Sequence, residues 1–175
     1  MFWKIEYFIK DFVKDKEIKT VLDVGAQDIN GSVKDALPKV ERYVGVDMLA
    51  GKGVEVVLNG HELVKFFKES EQSAYPKEYD LVTCCETLEH DNKFWLTVEN
   101  MKQMVKPGGY LLITVPSINF FKHDFPHDYY RFTEEAVKEM FEGFEDIYTE
   151  YYFDKADPNQ EKPNNSVLAY GRKPL

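Results

Sequence analysis

Short runs of apolar residues, rich in β-branched side chains, recur at intervals along the chain. The runs are nearly continuous rather than alternating, which is typical of strands buried on both faces of a sheet. Stretches with helical periodicity lie between several of them. We therefore predict five strands at Thr20 to Ala26, Arg42 to Met48, Val54 to Asn59, Tyr79 to Glu86 and Tyr110 to Ser117.

Helical patterns precede, separate and follow these strands. The segment 1–16 places apolar residues on one face with charged residues between them, so we expect an amphipathic helix rather than a signal peptide. A second helix is clearest from Lys93 to Val105 and ends at Lys106 to Gly109. A third begins with Thr133 as its N-cap. The remaining segments are two strands, Phe144 to Phe153 and Ser166 to Arg172, and an exposed loop, 157–165.

This alternation predicts an α/β fold with a Rossmann-like, doubly wound and mostly parallel sheet, whose ligand crevice lies beyond the carboxyl ends of the strands. With 175 residues, we expect one domain spanning 1–175. No segment approaches the roughly 18 consecutive apolar residues of a membrane helix, so we expect a soluble protein without a membrane partner. Cys84 and Cys85 are adjacent, which suits neither a disulfide nor a zinc site and indicates a reducing, cytoplasmic setting.

The overall charge narrows the class of partner. The formal net charge is -9, and no stripe of Lys and Arg interrupts the acidic composition. Binding to nucleic acid requires clustered basic side chains that neutralise phosphates, so a polynucleotide substrate is disfavoured. A small-molecule partner fits better, and both a monomer and a homodimer remain open.

The strongest local signal is VLDVGAQDINGS, residues 21–32, in which a strand runs into a glycine-containing loop that opens a helix. Asp47 ends the next strand, close to the ~20-residue spacing at which a carboxylate binds ribose hydroxyls. Gln27 and Asn30, however, stand where a dinucleotide-binding loop has glycines. The loop thus has the position of a nucleotide site without the dinucleotide fingerprint.

Charge separates two cofactors that use such a loop. Asp23 and Asp28 would repel a pyrophosphate, at a cost of about 1 kcal/mol in water or about 4 kcal/mol at an effective dielectric of 20 for charges about 4 Å apart. S-adenosylmethionine has no phosphate and carries a cationic sulfonium and ammonium, so the same carboxylates attract it. This favours S-adenosylmethionine over NAD, although both aspartates could simply cap turns and Asp47 could be a solvated strand end.

Four segments in this order, VLDVGAQDINGS, YVGVDM, YDLVTCCETLEH and VKPGGYLLITVP, make the chain resemble the class I S-adenosylmethionine-dependent methyltransferases over about Thr20 to Phe144. The later segment HDYYRFT resembles a bacterial and phage subgroup. The resemblance implies a seven-stranded sheet with an antiparallel last strand and a set of cofactor-binding residues. These are Asp23, Gly25, Ala26 and Gln27 at the methionine portion; Asp28, Asn30, Gly31 and Ser32 closing the loop; Asp47 at the ribose; Met48 on adenine; Asn59, Gly60 and His61 at the adenine edge; and Cys85 and Glu86 at the reactive end.

Some of these positions also have a plain structural interpretation. The family more often has an acidic residue after the third strand, where this chain has the segment 59–61. Cys85 could be a small buried apolar residue. Glu89 and His90 could only fix the turn that follows the fourth strand.

The segment 118–132 follows the fifth strand on the side of the crevice, and we predict that it forms a substrate lid. A methyl acceptor must lose a proton, for which a histidine is well suited. We predict His127 as this base with Asp128 as its orienting partner, Arg131 as an anion anchor or structural clamp, and His90 and Glu86 as reserve candidates for the base.

Two alternative interpretations of the lid remain: His123 and His127 could bind a metal, and the lid's aromatic residues could belong to the core or to a dimer contact. Those are Phe120, Phe121, Phe125, Tyr129 and Tyr130.

The sequence thus predicts a methyltransferase that uses S-adenosylmethionine and has no resident metal. A non-catalytic protein that keeps the cofactor fold is the alternative, since fold does not fix function. An NAD-dependent oxidoreductase is opposed by the loop's carboxylates and missing glycines.

Overall fold

The computed structural model describes residues 3–70, 74–123, 126–153 and 165–175. Phe125 of the predicted lid and residues 157–164 of the predicted loop lie outside these ranges. Among the described residues, no helix combines the length and apolarity needed to cross a membrane.

The described elements alternate between strand and helix, as predicted. The helices are α1 (Trp3–Val13), α2 (Val33–Ala36), α3 (Phe94–Met104) and α4 (Glu134–Met140). Shorter helical turns lie at Gly60–Glu62, Lys65–Glu69 and Leu88–His90. The strands are β1 (Thr20–Val24), β2 (Arg42–Asp47), β3 (Val56–Val57), β4 (Tyr79–Cys85), β5 (Val105–Pro116), β6 (Glu145–Phe153) and β7 (Asn165–Arg172).

All seven strands form one sheet in the order β3-β2-β1-β4-β5-β7-β6. The first five strands in this order are parallel to one another, whereas β7 runs antiparallel to both β5 and β6. The predicted fold class, including the antiparallel last strand, is confirmed. The order reverses direction between β1 and β4, and a crevice at this switch point is where α/β sheets bind ligands.

Helices cover both faces of the sheet, which explains the continuous apolarity of the strands. On one face, Val98 of α3 and Val137 of α4 join a core that includes Leu22 of β1. On the other, α1 packs its predicted apolar side against the neighbouring residue Val21. The successive residues Val21 and Leu22 therefore point to opposite faces of the sheet. Both side chains are fully buried.

Two local predictions need adjustment, and a third is confirmed. β3 is limited to Val56–Val57, because the chain leaves the sheet for the turn at Gly60–Glu62. The predicted helix stop at Lys106 to Gly109 lies inside β5, whose first residue follows α3 directly. Thr133 caps α4 as expected, because its hydroxyl accepts a hydrogen bond from the Ala136 N–H at 3.2 Å.

Candidate active site

The loop after β1 is held by the end of β2. The N–H groups of Gly25 and Ala26 both donate to the Val46 carbonyl, at 2.8 and 3.0 Å. Gly25 has a φ of +81°, and a Cβ at this position would lie 2.1 Å from the Thr87 hydroxyl oxygen. Glycine is therefore required both by the backbone conformation and by the close approach of the turn after β4.

Asp47 joins the two loops that border the switch point. One carboxylate oxygen accepts a hydrogen bond from the Leu49 N–H at 2.9 Å, and the other accepts from the Gln27 N–H at 3.3 Å. The side chain is half-buried, so part of it faces the solvent beside the loop. Its place at the end of β2 is that of a carboxylate that can bind hydroxyl groups of a ligand.

Asp23 is buried beneath the loop and does not line the surface of the crevice as an exposed charge. It is 2% exposed, and its carboxylate accepts hydrogen bonds from the Tyr43 hydroxyl at 2.5 Å and the Thr83 hydroxyl at 2.7 Å. Burial raises the pKa of Asp23 to about 6. Asp23 therefore links three neighbouring strands below the loop, and its role toward a cofactor stays a prediction.

Asp28 closes the loop on itself. Its carboxylate accepts from the Gly31 N–H at 2.9 Å and from the Lys52 ammonium at 2.5 Å, and the Lys52 hydrogen bond lowers the pKa of Asp28. Ser32 is the N-cap of α2 and accepts from the Lys34 N–H at 3.1 Å. Because Lys52 neutralises Asp28, the negative field that we attributed to this loop is weaker than the sequence suggested.

Apolar side chains are exposed around these polar loops. Met48 is 64% exposed, Leu49 48% and Ile29 52%. Apolar side chains exposed together often mark a ligand-binding surface. Met48 and Leu49 follow Asp47 directly, so this surface adjoins the Asp47 carboxylate and could receive the flat face of a ring.

The segment after β3 is tied to the turn after β4. The side chain of Asn59 caps the turn by accepting from the His61 N–H at 2.9 Å. The His61 ring lies 2.9 and 3.0 Å from the two carboxylate oxygens of Asp91, which also accepts from the Thr97 hydroxyl at 2.6 Å. Asn59 and His61 therefore have structural partners, and the role of the segment 59–61 toward a cofactor stays a prediction.

Two buried carboxylates follow β4. Glu86 has a left-handed φ of +49°, an uncommon conformation for this residue type, and burial raises its pKa to about 8. Glu89 is fully buried in the turn that follows. Cys85, which precedes them at the end of β4, is partly buried. Sequence reasoning placed Glu86 near the reactive end but gave Glu89 only a local role in the turn.

The lid differs from the predicted arrangement of base and partner. Asp128 does not pair with His127; its carboxylate binds Arg131 through both oxygens and accepts from the His123 N–H at 2.8 Å. The neighbouring Arg131 lowers the pKa of Asp128 to about 2. His127 is exposed, lies against Tyr129, and offers its backbone carbonyl to His90. The predicted pair of His127 and Asp128 is wrong, because the Arg131 guanidinium binds the Asp128 carboxylate through two parallel, charge-assisted hydrogen bonds.

Arg131 acts as a clamp within the lid. Besides Asp128, it donates to the carbonyls of Phe120 at 3.2 Å, Phe121 at 2.8 Å and Tyr130 at 2.7 Å. The lid aromatics are divided between two environments, since Tyr130 packs on the core side against Phe94, whereas Phe121 and Tyr129 are exposed. This network leaves Arg131 committed to the protein rather than free to anchor an anion.

His123 is the lid histidine that approaches the buried carboxylates. Its Nε2 lies 3.5 Å from Oε1 of Glu89, which raises the pKa of His123. Nε2 of His90 lies 3.6 Å from the same oxygen. Glu89, His90 and His123 thus form a cluster. The sequence indicated it only indirectly, because titratable residues follow the carboxyl ends of β4 and β5, which are neighbours in the sheet.

A larger hollow lies away from this region. It has a volume of about 570 Å³ and is lined by α1, β6 and β7, including Tyr7, Tyr148 and Tyr170. The lid borders a smaller hollow of about 270 Å³ between Phe120, Tyr129 and Arg131. Neither of these two hollows is lined by the loop after β1.

The sheet order and the loop at its switch point define the class: an α/β domain with the fold of class I methyltransferases. The chain belongs to the methyltransferase-domain family, whose model matches residues 3–149. The resemblance predicted from the sequence motifs is thereby confirmed.

Two curated relatives are both ubiquinone biosynthesis O-methyltransferases. The one from Proteus mirabilis is 33% identical over 110 residues, which is 58% of this chain and 43% of the relative. The one from Hydrogenovibrio crunogenus is 31% identical over 123 residues, which is 65% of this chain and 48% of the relative. The chain therefore spans less than half the length of these relatives.

Solved structures share the fold at low sequence identity. The N-methyltransferase NodS from Bradyrhizobium japonicum, in complex with S-adenosylhomocysteine, has a TM-score of 0.68 at 14% identity, with 99% of this chain and 87% of that chain covered. Phosphoethanolamine N-methyltransferase 2 from Haemonchus contortus, in complex with S-adenosylmethionine, has a TM-score of 0.66 at 17% identity, with 99% and 53% covered.

Proposed function

We propose that the protein transfers a methyl group from S-adenosylmethionine to a hydroxyl oxygen of a small molecule. The observation that carries this proposal is the position of Asp47, which joins the loops after β1 and β2 at the switch point of the sheet. The name of the curated relatives supports oxygen as the acceptor atom. The net charge of -9 supports a small molecule rather than a polynucleotide.

In this proposal the cofactor lies across the carboxyl ends of β1, β2 and β4. Asp47 binds the ribose hydroxyls, and exposed Met48 packs on the adenine. The loop from Gly25 to Ser32 encloses the methionine portion, and Asp23 supports that loop from below. Asn59, Gly60 and His61 border the adenine, while Cys85 and Glu86 border the methyl group.

Methyl transfer from a sulfonium needs little activation of the donor, so the protein mainly aligns the acceptor and excludes water. A hydroxyl acceptor must also lose its proton. We place this proton transfer at Glu89, His90 and His123, because Glu89 is buried and both rings approach it. His127 is a weaker candidate than the sequence suggested, since it is exposed and lacks the predicted carboxylate.

The test is methyl transfer from isotopically labelled S-adenosylmethionine into the small-molecule fraction of a bacterial extract, followed by mass analysis of the products. We expect labelled products with the wild type. Glu89→Gln should lower turnover about 100-fold or more, the range of a proton-transfer group, while cofactor affinity stays nearly unchanged.

His127→Ala is the matched control, since it removes the other lid histidine, and we expect it to retain most of the turnover. A loss in His127→Ala as large as in Glu89→Gln would contradict our placement of proton transfer. Cofactor binding without any labelled product would favour the non-catalytic alternative, and binding of NAD alone would contradict the proposed function itself.

A further inference from the structure

Three side chains bring ligand atoms to one point between the turn after β4 and the lid. Nε2 of His90 and Nε2 of His123 lie 3.6 and 3.5 Å from Oε1 of Glu89, and a set of three ligand atoms from these residues lies within 4.8 Å of one another. The two rings meet edge to face, with their centroids 4.9 Å apart. The cluster joins residues of two separate loops.

The carboxylate of Glu89 lacks ordinary partners. The residue is 0% exposed, and neither of its oxygens accepts a hydrogen bond from the described part of the chain. A buried carboxylate without a partner is costly, and such groups are normally paired or coordinate a metal. The two imidazole nitrogens lie beyond the normal hydrogen-bond range of about 2.7 to 3.2 Å, so they offset this cost only in part.

Both imidazoles are oriented as metal ligands usually are. Nδ1 of His90 faces the carbonyl oxygen of His127, which can only accept, so this nitrogen carries a proton and, in the neutral ring, Nε2 keeps its lone pair. Nδ1 of His123 likewise faces acceptors, with the Phe121 carbonyl at 3.5 Å and the Asp128 carboxylate at 3.8 Å. A ligating histidine commonly donates its other N–H to a carbonyl or carboxylate in this way.

The separation of each histidine nitrogen from Glu89 also fits a shared ion. Ligand atoms about 2.05 Å from an ion, with tetrahedral angles between them, lie about 3.4 Å apart. The separations of 3.5 and 3.6 Å to Glu89 match this value. The rings are only partly buried, at 16% exposure for His90 and 31% for His123, so an ion can enter and a fourth position can stay open.

We propose that Glu89, His90 and His123 bind a divalent first-row metal ion, Zn²⁺ or Mn²⁺ by the mixed nitrogen and oxygen character of the donors. Ion binding at this site does not depend on the proposed methyl transfer. If the proposed function holds, the three side chains with an ion bound would hold the metal instead of accepting the proton themselves. The ion would bind the acceptor oxygen and lower its pKa, and the proton would pass to water.

The test uses the whole 175-residue chain, freed of metal by dialysis against a chelator and titrated with Zn²⁺ and separately with Mn²⁺ by calorimetry. We expect one equivalent of at least one ion to bind. Glu89→Gln and His123→Ala should each lower the affinity by 100-fold or more, on the order of the largest losses seen when only a ligand's supporting partner is removed. Melting curves of the metal-free variants verify that they are folded.

His127→Ala is the control, because it removes a histidine of the same lid but keeps the backbone carbonyl that orients His90. We expect its affinity for the ion to equal that of the wild type. Absence of saturable binding in the wild type, or an equal loss in His127→Ala, would overturn the site. Titrating the same metal-free protein with S-adenosylmethionine tests the proposed function separately, so the two failures are distinguishable.

Discussion

Individual residues show where charge reasoning from the sequence succeeds and where it does not. The sequence identified Asp23, Asp28 and Asp47 as acidic residues near one loop, and the structure gives each a different environment. Asp47 faces the loops, Asp28 is neutralised by Lys52, and Asp23 is buried between Tyr43 and Thr83. Hydrogen-bond partners from other strands decide these environments, and such partners cannot be read from local spacing.

Asp23 makes the stability of the fold depend on pH. Its pKa is raised from 3.8 to about 6, so the folded state favours the protonated form, and the associated stability is present below about pH 4 and lost as the pH rises through 6. Asp23→Asn removes this titration. We expect the free energy of unfolding of the wild type, relative to Asp23→Asn, to fall by about 2 kcal/mol between pH 4 and pH 7.

Urea denaturation at a series of pH values measures this difference, and titrations of other groups cancel because both proteins share them. Burial also raises the pKa of Tyr43, so its hydroxyl stays a donor throughout the range. A difference that does not change with pH would mean that Asp23 is not buried as described.

At the scale of elements, hydrophobic periodicity predicted most strands and helices. The internal arrangement of the lid, however, could not be predicted from the sequence. The helix α3 and the cap of α4 follow local patterns that the sequence displays directly. The lid is instead organised by Arg131, whose hydrogen bonds reach back to Phe120 and Phe121. His123 meets Glu89 only because β4 and β5 are neighbours in the sheet, so the cluster has no signature in either segment alone.

Arg131 should therefore control the order of the lid. Arg131→Ala leaves the Asp128 carboxylate, whose side chain is 1% exposed, without its counter-charge. Removing one partner of a buried ion pair costs about 3 to 5 kcal/mol, so we expect a decrease in the free energy of unfolding of about this size and faster proteolysis within the lid. Limited proteolysis with mass analysis of the fragments locates the cut.

Lys138→Ala provides the comparison, because it removes an exposed ion pair with Glu134 that should contribute little to the free energy of unfolding. If Arg131→Ala were as stable and as resistant to protease as Lys138→Ala, the clamp would have no role in the lid.

For the whole molecule, the doubly wound and mostly parallel sheet could be predicted, because alternating strands and helices permit few arrangements with right-handed crossovers. The resemblance to a known family supplied the antiparallel last strand, which alternation alone does not predict. The position of the ligand crevice then follows from the switch point between β1 and β4. The identity of the acceptor depends on side chains of the lid and the surface, where the sequence carries no regular pattern.

The central claim is that the crevice at this switch point binds S-adenosylmethionine through Asp47, and calorimetric titration tests it most directly. We expect the wild type to bind S-adenosylmethionine and S-adenosylhomocysteine but not NAD. We expect Asp47→Ala to bind the cofactor at least 10-fold more weakly, equivalent to about 1.4 kcal/mol, and the exposed-site control Asp35→Ala to bind it normally. Unchanged affinity in Asp47→Ala, or binding of NAD in place of S-adenosylmethionine, would contradict the account.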